Sequence, residues 1–282
     1  TGVLWDAYLI KPFEDISSII IDCPQVVITQ PVLVSCAEHG IAFYTTGKKH
    51  IPNGVFLPFG NHSRLPQRLN LQLNISKPCS KKIWSQIIKA KLTNQAQCLK
   101  LCELIDDSNF IKQLSTRVHS GDPDNLEARA AAFYFKTLFD KSFSRKNDEI
   151  FINSCLNYGY SIIRGEIART LVLHGLHPEI GIFHRNQNNA FNLADDFIEP
   201  YRPIVDFYTK SLNTSEQRDI PKKSYIEILS YDVDTPRGKV TISMSIDLLI
   251  ESFVRVLKDE DEQLELPVFN NFNKHVYEDN LP

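Results

Sequence analysis

The spacing of apolar residues changes near residue 76, and this change limits the chain to a two-part α+β architecture. Before it, short β-branched and aromatic segments alternate with Pro, Gly, Asn and Asp, the pattern of strands and turns. After it, apolar residues recur every three or four positions, as on one face of a helix. We predict a small N-terminal β domain over residues 1–75 and a larger, all-helical domain over residues 76–282.

Individual elements follow from the same two patterns. The predicted strands are Ala7–Ile10, Ser18–Ile21, Gln25–Thr29, Ile41–Thr45 and Val55–Pro58. One short helix is predicted between strands, over Pro31–His39. In the helical region, we predict helices through Ile83–Leu101, Leu126–Leu138, Leu156–Leu171, Asp196–Lys210 and Ile246–Lys258, and a small strand or loop arm over Tyr225–Val233.

Composition places the chain among globular, cytoplasmic proteins. Of its 282 residues 43% are hydrophobic, yet no apolar run approaches the roughly 20 residues that span a bilayer. Six scattered cysteines without a Cys-x-x-Cys pair predict reduced structural thiols rather than zinc ligands. The start at Thr1, without a methionine or a signal-peptide pattern, predicts that some N-terminal sequence is missing.

A basic stretch stands out against the net charge of −3. Six lysines and no acid lie between residues 77 and 100. Such a patch on a near-neutral protein fits local contact with phosphates, although a solvated helix face has the same appearance. The lysines are Lys77, Lys81, Lys82, Lys89, Lys91 and Lys100.

A histidine followed by acids is the strongest candidate for chemistry. His184 follows the apolar approach Gly-Ile-Phe, and a polar connection leads to Asp196 and Glu199, which share one face if the segment is helical. An imidazole with two carboxylates can hold Mg²⁺ or Mn²⁺. The alternative is an ordinary loop histidine before a helix whose first acids, Asp195 above all, serve as caps.

Two further charged positions have competing interpretations. Glu127 either faces other helices as a metal ligand or closes a capping box with Asp124, and either Asp122 or Asp124 can cap the helix. Arg202 is three residues from Glu199 and can pair with it, although Asp206 competes for the same guanidinium. No phosphate-binding glycine loop and no Gly-x-Ser-x-Gly motif is present, so P-loop and serine-hydrolase chemistry are unsupported.

Four blocks of sequence together resemble one family. They are Lys-Leu-Thr-Asn-Gln-Ala (91–96), Ser-Gly-Asp-Pro-Asp-Asn-Leu-Glu-Ala-Arg-Ala-Ala (120–131), Leu-Asn-Tyr-Gly-Tyr-Ser-Ile-Ile (156–163), and the segment 175–203, which ends in Phe-Asn-Leu-Ala-Asp-Asp-Phe-Ile-Glu-Pro-Tyr-Arg-Pro. This combination resembles the CRISPR-associated protein one family, integrases that insert new spacers into CRISPR arrays. The sequence motif at residues 189–196 is most similar to that of members from type II systems.

The resemblance implies an activity and a site. It implies a metal-dependent DNA endonuclease and integrase, in which a prespacer 3′-hydroxyl attacks a phosphodiester at the repeat boundary with Mg²⁺ or Mn²⁺. Glu127, His184 and Glu199 match the family's metal ligands, with Asp196 as the less favoured acidic ligand. His184 could transfer a proton if it is not a ligand.

The resemblance also implies partners. It implies double-stranded prespacer and repeat DNA, a homodimer built through the N-terminal domain, and a dimer of dimers bridged by a small ferredoxin-like partner. First strands before Thr1 are implied as well, and residues 76–282 become the catalytic domain. Candidate phosphate contacts are Lys77, Lys81, Lys82, Lys89, Lys91, Arg129, Arg164 and Arg185, with Arg202 holding the site acids. The alternatives are a stand-alone nuclease for branched DNA and a non-catalytic DNA-binding scaffold.

Overall fold

A small sheet followed by packed helices makes up the described molecule. A computed structural model describes residues 11–23, 25–47, 52–58, 62–147, 150–212 and 219–276. Strands come first and helices dominate afterwards, so the predicted α+β class is confirmed. The predicted strand Ala7–Ile10 lies outside the described residues, and the domain boundary near residue 76 stays a prediction.

The sheet has three strands, and the second is central. β1 (Ser18–Ile21) pairs in parallel with β2 (Ala42–Thr46), and β3 (Pro52–Phe56) pairs antiparallel with β2. α1 (Gln30–Glu38) lies between β1 and β2 in sequence, because parallel neighbours need a crossover connection. β3 overlaps the first part of the predicted strand Val55–Pro58.

Most sequence-based elements of this region are confirmed. The strands at Ser18–Ile21 and Ile41–Thr45 and the helix at Pro31–His39 are present within one residue at each end. The predicted strand Gln25–Thr29 is wrong, because these residues form the link that leads from β1 into α1. Val27 is 95% exposed there, so its β-branched side chain marks no buried strand.

The helical region is built from elements of very different lengths. The helices are α2 (Leu65–Leu73), α3 (Lys77–Leu101), α4 (Ile105–Thr116), α5 (Leu126–Leu138), α6 (Phe151–Leu173), α7 (Asn192–Phe197), α8 (Arg202–Ser211), α9 (Lys222–Glu227) and α10 (Ile242–Val256). The predicted helices of the α3, α5, α6 and α10 regions are confirmed.

α3 is the central helix and positions one side of the candidate site. It begins after Ser76, whose hydroxyl accepts a hydrogen bond from the Cys79 N–H at 3.1 Å, with Pro78 in the first turn. It packs against α4, α5 and α8. Ile83 and Ile87 are fully buried, and each such side chain stabilises the fold by about 1.5–3 kcal/mol. The buried face therefore fixes the direction of every other side chain on α3.

Two prolines divide the segment that carries the candidate acids. The helical trend predicted across Asp196–Lys210 is present, but it is divided: α7 ends at Phe197, a 3-10 turn covers Glu199–Tyr201, and α8 follows. Pro200 and Pro203 each lie in the first turn of a new element, where a missing N–H costs no hydrogen bond. Glu199 consequently lies at a junction between elements.

A hairpin interrupts the helices near the C-terminal end. β4 (Asp232–Thr235) pairs antiparallel with β5 (Gly238–Thr241) before α10 begins. The segment Tyr225–Val233, predicted as a small strand or loop arm, covers part of α9, a 3-10 turn and the start of β4. Within the described ranges, no helix is both long and apolar enough to cross a membrane.

Candidate active site

A buried carboxylate organises the loop that carries His184. Asp196 of α7 is fully buried and accepts hydrogen bonds from the backbone N–H groups of Ile182 at 2.6 Å and Phe183 at 3.1 Å. It also accepts one from the His184 N–H at 3.1 Å, and its Oδ1 lies 2.7 Å from His184 Nδ1. Gly181 permits this tight path, since a Cβ there would lie 2.2 Å from the His184 carbonyl oxygen. Asp196 thus fixes both the loop and the imidazole.

Asn192 holds the remainder of the same loop. Its side-chain amide donates to three carbonyl groups, those of Glu179 at 3.0 Å, Asn186 at 2.9 Å and Asn189 at 3.2 Å. The prediction that Asp195 caps a helix is wrong, because α7 already begins at Asn192. The Asp195 carboxylate instead accepts a hydrogen bond from Asn189 Nδ2 at 2.7 Å.

Glu127 enters the site from the first turn of α5. The Asp122 carboxylate caps this helix, accepting from the N–H groups of Leu126 and Glu127 at 3.0 Å each, which decides between Asp122 and Asp124. Asp122 already caps this helix, so the Glu127 side chain is not needed as a cap. It is directed at α3, where its Oε1 lies 2.5 Å from Lys91 Nζ.

Lys91 joins the two candidate carboxylates. Its side chain is buried, at 8% exposure, and its ammonium lies 2.5 Å from Glu127 Oε1 and 2.5 Å from Glu199 Oε2. The distance between Glu127 Oε1 and Glu199 Oε2 is therefore at most the sum of their two distances to Lys91 Nζ. Arg202 completes the cluster, because its Nε donates to Glu199 Oε1 at 2.9 Å. Two acids and two cations meet here between α3, α5 and the 3-10 turn.

The charges in this cluster support one another. Burial by itself would raise the pKa of Glu199, but the positive charges of Arg202 and Lys91 lower it to about 2. The same carboxylates raise the pKa of Lys91 against the opposing effect of its burial. On the loop, the hydrogen bond to Asp196 raises the pKa of His184, and the charge of Glu199 adds to the effect.

Arg202 pairs with Glu199 and not with Asp206, which settles the competition between these acids. Asp206 is buried beside Tyr160, whose hydroxyl donates to Oδ1, while Oδ2 has no hydrogen-bond partner among the described residues. Burial raises the pKa of Asp206 to about 6. The Arg202 guanidinium lies over the Tyr160 ring, 4.6 Å from its centroid.

The predicted phosphate contacts fall into three groups. One group is exposed and consists of Lys77, Lys81, Lys89, Arg129 and Arg185. Lys82 and Arg164 are half-buried: Lys82 Nζ donates to the Glu260 carbonyl at 2.6 Å, and Arg164 lies 3.7 Å from the Asp195 carboxylate. Lys91 departs from the prediction, because it is buried between two acids and not on a solvated face.

A cavity beside Arg202 was not predicted from the sequence. This space of about 280 Å³ is lined by the guanidinium-bearing residues Arg145, Arg164 and Arg202. Arg145 donates to the side chains of Asn153 at 2.6 Å and Asn157 at 2.8 Å. Nothing in the local spacing around Arg145 marked it, whereas Lys91 carried a signal: it falls at a helical interval among apolar residues of α3.

The donor set fits a hard cation on its carboxylate side. Among the residues that the structure describes, no three His, Cys, Asp or Glu side chains are arranged to hold a metal ion. Glu127 and Glu199 nevertheless converge on one positive group, the Lys91 ammonium, as two oxygen donors to a hard cation do. Because Asp196 engages Nδ1 of His184, Nε2 is the ring nitrogen left for a ligand.

Comparison with known proteins agrees with the fold and with the sequence blocks. Residues 9–227 match the family model described as CRISPR associated protein Cas1. Over 273 residues the chain is 38% identical to a CRISPR-associated endonuclease Cas1 from Neisseria meningitidis serogroup C (strain 8013), covering 95% of this chain and 90% of that protein.

Two solved structures share the fold at low sequence identity. A casposase bound to an integration product superposes with a TM-score of 0.72 and 22% identity, covering 89% of this chain and 81% of that chain. A chain of a Cas6-RT-Cas1–Cas2 complex superposes with a TM-score of 0.65 and 17% identity, covering 91% of this chain and 32% of that chain.

Proposed function

The chain belongs to the Cas1 family of CRISPR-associated proteins, and from this premise we propose that it is a metal-dependent DNA endonuclease and integrase. It would insert prespacer DNA into a CRISPR array by attack of a 3′-hydroxyl on a phosphodiester. One observation carries the proposal: Glu127 and Glu199 converge on a single cation position, the Lys91 ammonium.

In this proposal, some site residues bind the metal ion and others orient those ligands. Glu127, Glu199 and His184 would bind Mg²⁺ or Mn²⁺, which when bound supplies charge neutralisation at the phosphate and favours the ionised hydroxyl. Asp196 is an orienting residue in this proposal, because hydrogen bonds to three backbone N–H groups and Nδ1 occupy its oxygens. Arg202 keeps Glu199 ionised and directed.

The proposed reaction exchanges one phosphodiester bond for another. The attacking 3′-oxygen forms a bond to phosphorus, loses its proton, and displaces one of the two ester oxygens, which leaves with a proton. Negative charge grows on the non-bridging oxygens during this exchange, and positive groups placed there lower the barrier. Lys91 and Arg202 bring two such charges into the site before the DNA phosphate arrives.

The partners belong to the same proposal. DNA would contact the exposed cations Lys77, Lys81, Lys89, Arg129 and Arg185 through its phosphates, with Lys82 and Arg164 at the border of this surface. The fold shared with a chain of a Cas6-RT-Cas1–Cas2 complex supports assembly with another Cas protein. We propose that this partner is small and ferredoxin-like. We propose a homodimer that assembles as a dimer of dimers in the cytoplasm, where the DNA substrates are.

A strand-transfer assay with prespacer DNA, repeat DNA and the small partner tests the proposal. Glu127→Gln, Glu199→Gln and His184→Ala should each reduce product formation by at least about a hundredfold, since each removes a group needed around the reacting phosphate. Glu38→Gln is the matched control, because Glu38 is an exposed glutamate on α1 in the N-terminal region, and it should react like the unchanged protein.

Strand transfer, cleavage of branched DNA and binding of Mn²⁺, measured on the same protein, separate the alternatives. Full activity of Glu127→Gln or Glu199→Gln would reject the proposed site. Cleavage of branched DNA without any requirement for the small partner would favour a stand-alone nuclease. DNA binding without Mn²⁺ binding or strand transfer would favour a scaffold.

A further inference from the structure

A buried asparagine of α3 holds the backbone of the 3-10 turn that carries Glu199. Asn94 is fully buried and lies three residues after Lys91, on the same side of the helix. Its Nδ2 donates to the carbonyl of Pro200, the residue directly after Glu199, at 2.8 Å. α3 therefore contacts this turn twice: Lys91 binds the Glu199 carboxylate, and Asn94 binds the backbone.

The turn needs contacts from outside because it is short. It contains only the residues Glu199–Tyr201, and 3-10 helices have poorer hydrogen-bond geometry than α-helices. Pro200 has no N–H group, so it adds no donor to the turn. The Tyr201 N–H donates to the Ile198 carbonyl at 2.8 Å. The position of Glu199 thus depends on groups that reach the turn from other elements.

The same amide binds a second segment, which we call the C-terminal strap (residues 260–270). Asn94 Nδ2 also donates to the Pro267 carbonyl at 3.0 Å, and the Phe269 N–H donates to Asn94 Oδ1 at 2.9 Å. Together with the bond to Pro200, these contacts use both amide hydrogens and the amide oxygen. Only one orientation of the amide satisfies two carbonyl groups and one N–H group, so the strap fixes the direction in which Asn94 donates.

The C-terminal strap follows α3 along roughly four helical turns. Near the start of α3, Lys82 Nζ donates to the Glu260 carbonyl at 2.6 Å. Near its end, Gln97 Nε2 donates to Asn270 Oδ1 at 3.1 Å. The strap lies outside residues 9–227, the part of the chain that matches the family model. A segment beyond the matched part is thus joined to the candidate site through the side chain of Asn94.

We propose that Asn94 is a positioning residue for the metal ligand Glu199, and that the C-terminal strap holds the Asn94 amide in the orientation that this role requires. In the proposed site, a divalent ion replaces the Lys91 ammonium between the carboxylates, so the contact between Lys91 and Glu199 is lost. The bond from Asn94 to the Pro200 carbonyl involves neither carboxylate, and it keeps the turn against α3. The proposal rests on the proposed function only in taking Glu199 as a metal ligand.

Two measurements on the protein without DNA test this proposal. Calorimetric titration gives the Mn²⁺ affinity, and hydrogen exchange in EDTA, read by mass spectrometry, gives the protection of the turn. Asn94→Ala removes the amide. Ser108→Ala is the matched control for a lost buried hydrogen bond, because the Ser108 hydroxyl donates to the Ala96 carbonyl of α3 at 2.7 Å. Gln86→Ala is the control for the strap, because Gln86 Oε1 accepts from the Leu264 N–H at 3.0 Å.

Asn94→Ala should bind Mn²⁺ roughly tenfold to a hundredfold more weakly, the usual effect of losing a group that orients a metal ligand. Hydrogen exchange should become faster in the turn and in the strap. Ser108→Ala should leave the Mn²⁺ affinity and the exchange of the turn unchanged, and Gln86→Ala should speed exchange in the strap alone. If Asn94→Ala does not fold, Asn94→Ser, which keeps a small polar group at the buried position, is used with the same expectations.

Two results would overturn the positioning role: a measurable Mn²⁺ affinity that is the same in the Asn94 variant and the unchanged protein, or equal losses in Asn94→Ala and Ser108→Ala. Because exchange is measured in EDTA, it separates the two proposals. Faster exchange of the turn in Asn94→Ala, with no Mn²⁺ binding even to the unchanged protein, would reject the metal site and support the hold of Asn94 on the turn. Mn²⁺ binding that Glu199→Gln abolishes and Asn94→Ala leaves unchanged would do the reverse.

Discussion

The two sides of the candidate site are held in place by different physics. On one side, Glu127 and Glu199 are positioned by side-chain cations, Lys91 and Arg202, in a buried cluster. On the other side, His184 is positioned through backbone N–H groups gathered by Asp196. The first arrangement consists of contacts between side chains alone, whereas the second includes the backbone N–H groups of residues 182–184.

This difference makes the carboxylate side adaptable and the histidine side rigid. In the proposed site, the Lys91 ammonium would leave its place between the two carboxylates to a divalent ion. The loop cannot yield in this manner, because losing Asp196 would leave several buried N–H groups without an acceptor.

The rigid side should be the more sensitive to a single substitution. Asp196→Ala leaves the N–H groups of residues 182–184 without their acceptor, and the free energy of unfolding should fall by about 4 kcal/mol. Chemical denaturation measures the effect. Asp195→Ala is the matched neighbour, and should cost about 1 kcal/mol because one amide hydrogen bond is lost. Equal effects of the two substitutions would contradict the assignment of the loop to Asp196.

On the carboxylate side, substitution of Lys91 should have the larger effect on stability. Lys91→Met leaves Glu127 and Glu199 facing each other with only Arg202 as a counter-charge, and the free energy of unfolding at neutral pH should fall by about 3 kcal/mol. Lys89→Met on the same helix is the control, since Lys89 is exposed and should change stability little. If Lys91→Met were as stable as Lys89→Met, the carboxylates would not depend on this cation.

Asp206, a buried acid that forms no ion pair with the described residues, sharpens the comparison through its pH dependence. The pKa of Asp206 is raised to about 6, so the folded protein holds this proton more tightly than the unfolded chain does. Stability from the protonated form is complete below about pH 4 and is lost as the pH rises through 6. Asp206→Asn mimics the neutral group, so its stability relative to the unchanged protein should rise by about 2 kcal/mol between pH 4 and 7.

Thermal or denaturant unfolding at a series of pH values measures this difference. Glu199 is the internal contrast, because its pKa is lowered to about 2 and its contribution is lost only as the pH falls. A stability difference between Asp206→Asn and the unchanged protein that stays constant with pH would show that Asp206 does not titrate in this range.

Periodicity predicted the helices around the site better than the residues between them. The regular apolar spacing of α3, α5 and α6 reflects burial on one face, which local sequence records directly. The breaks at Pro200 and Pro203 were missed, because acids and apolar residues on both sides kept a helical spacing across them. Gln25–Thr29 was misassigned because β-branched residues also occur in exposed links.

The residues of the candidate site could be predicted from the sequence to different degrees. His184 and Glu199 were proposed from their spacing in the sequence. Glu127 was chosen as a ligand only through a resemblance, because convergence of distant residues leaves no local trace. Lys91 was taken for a phosphate contact, although its place among apolar residues of α3 was consistent with burial. The role of Asp196 depends on backbone N–H groups of residues 182–184, and no side-chain pattern reports where such groups point.

Calorimetric titration of Mn²⁺ into the protein tests the central claim most directly, without DNA or catalysis. We expect saturable binding to the unchanged protein and to Glu38→Gln, and loss of that binding in both Glu127→Gln and Glu199→Gln, because the ion would need both carboxylates that Lys91 now bridges. Mn²⁺ binding that is unchanged in Glu127→Gln and Glu199→Gln would contradict the claim that these two residues form the cation site.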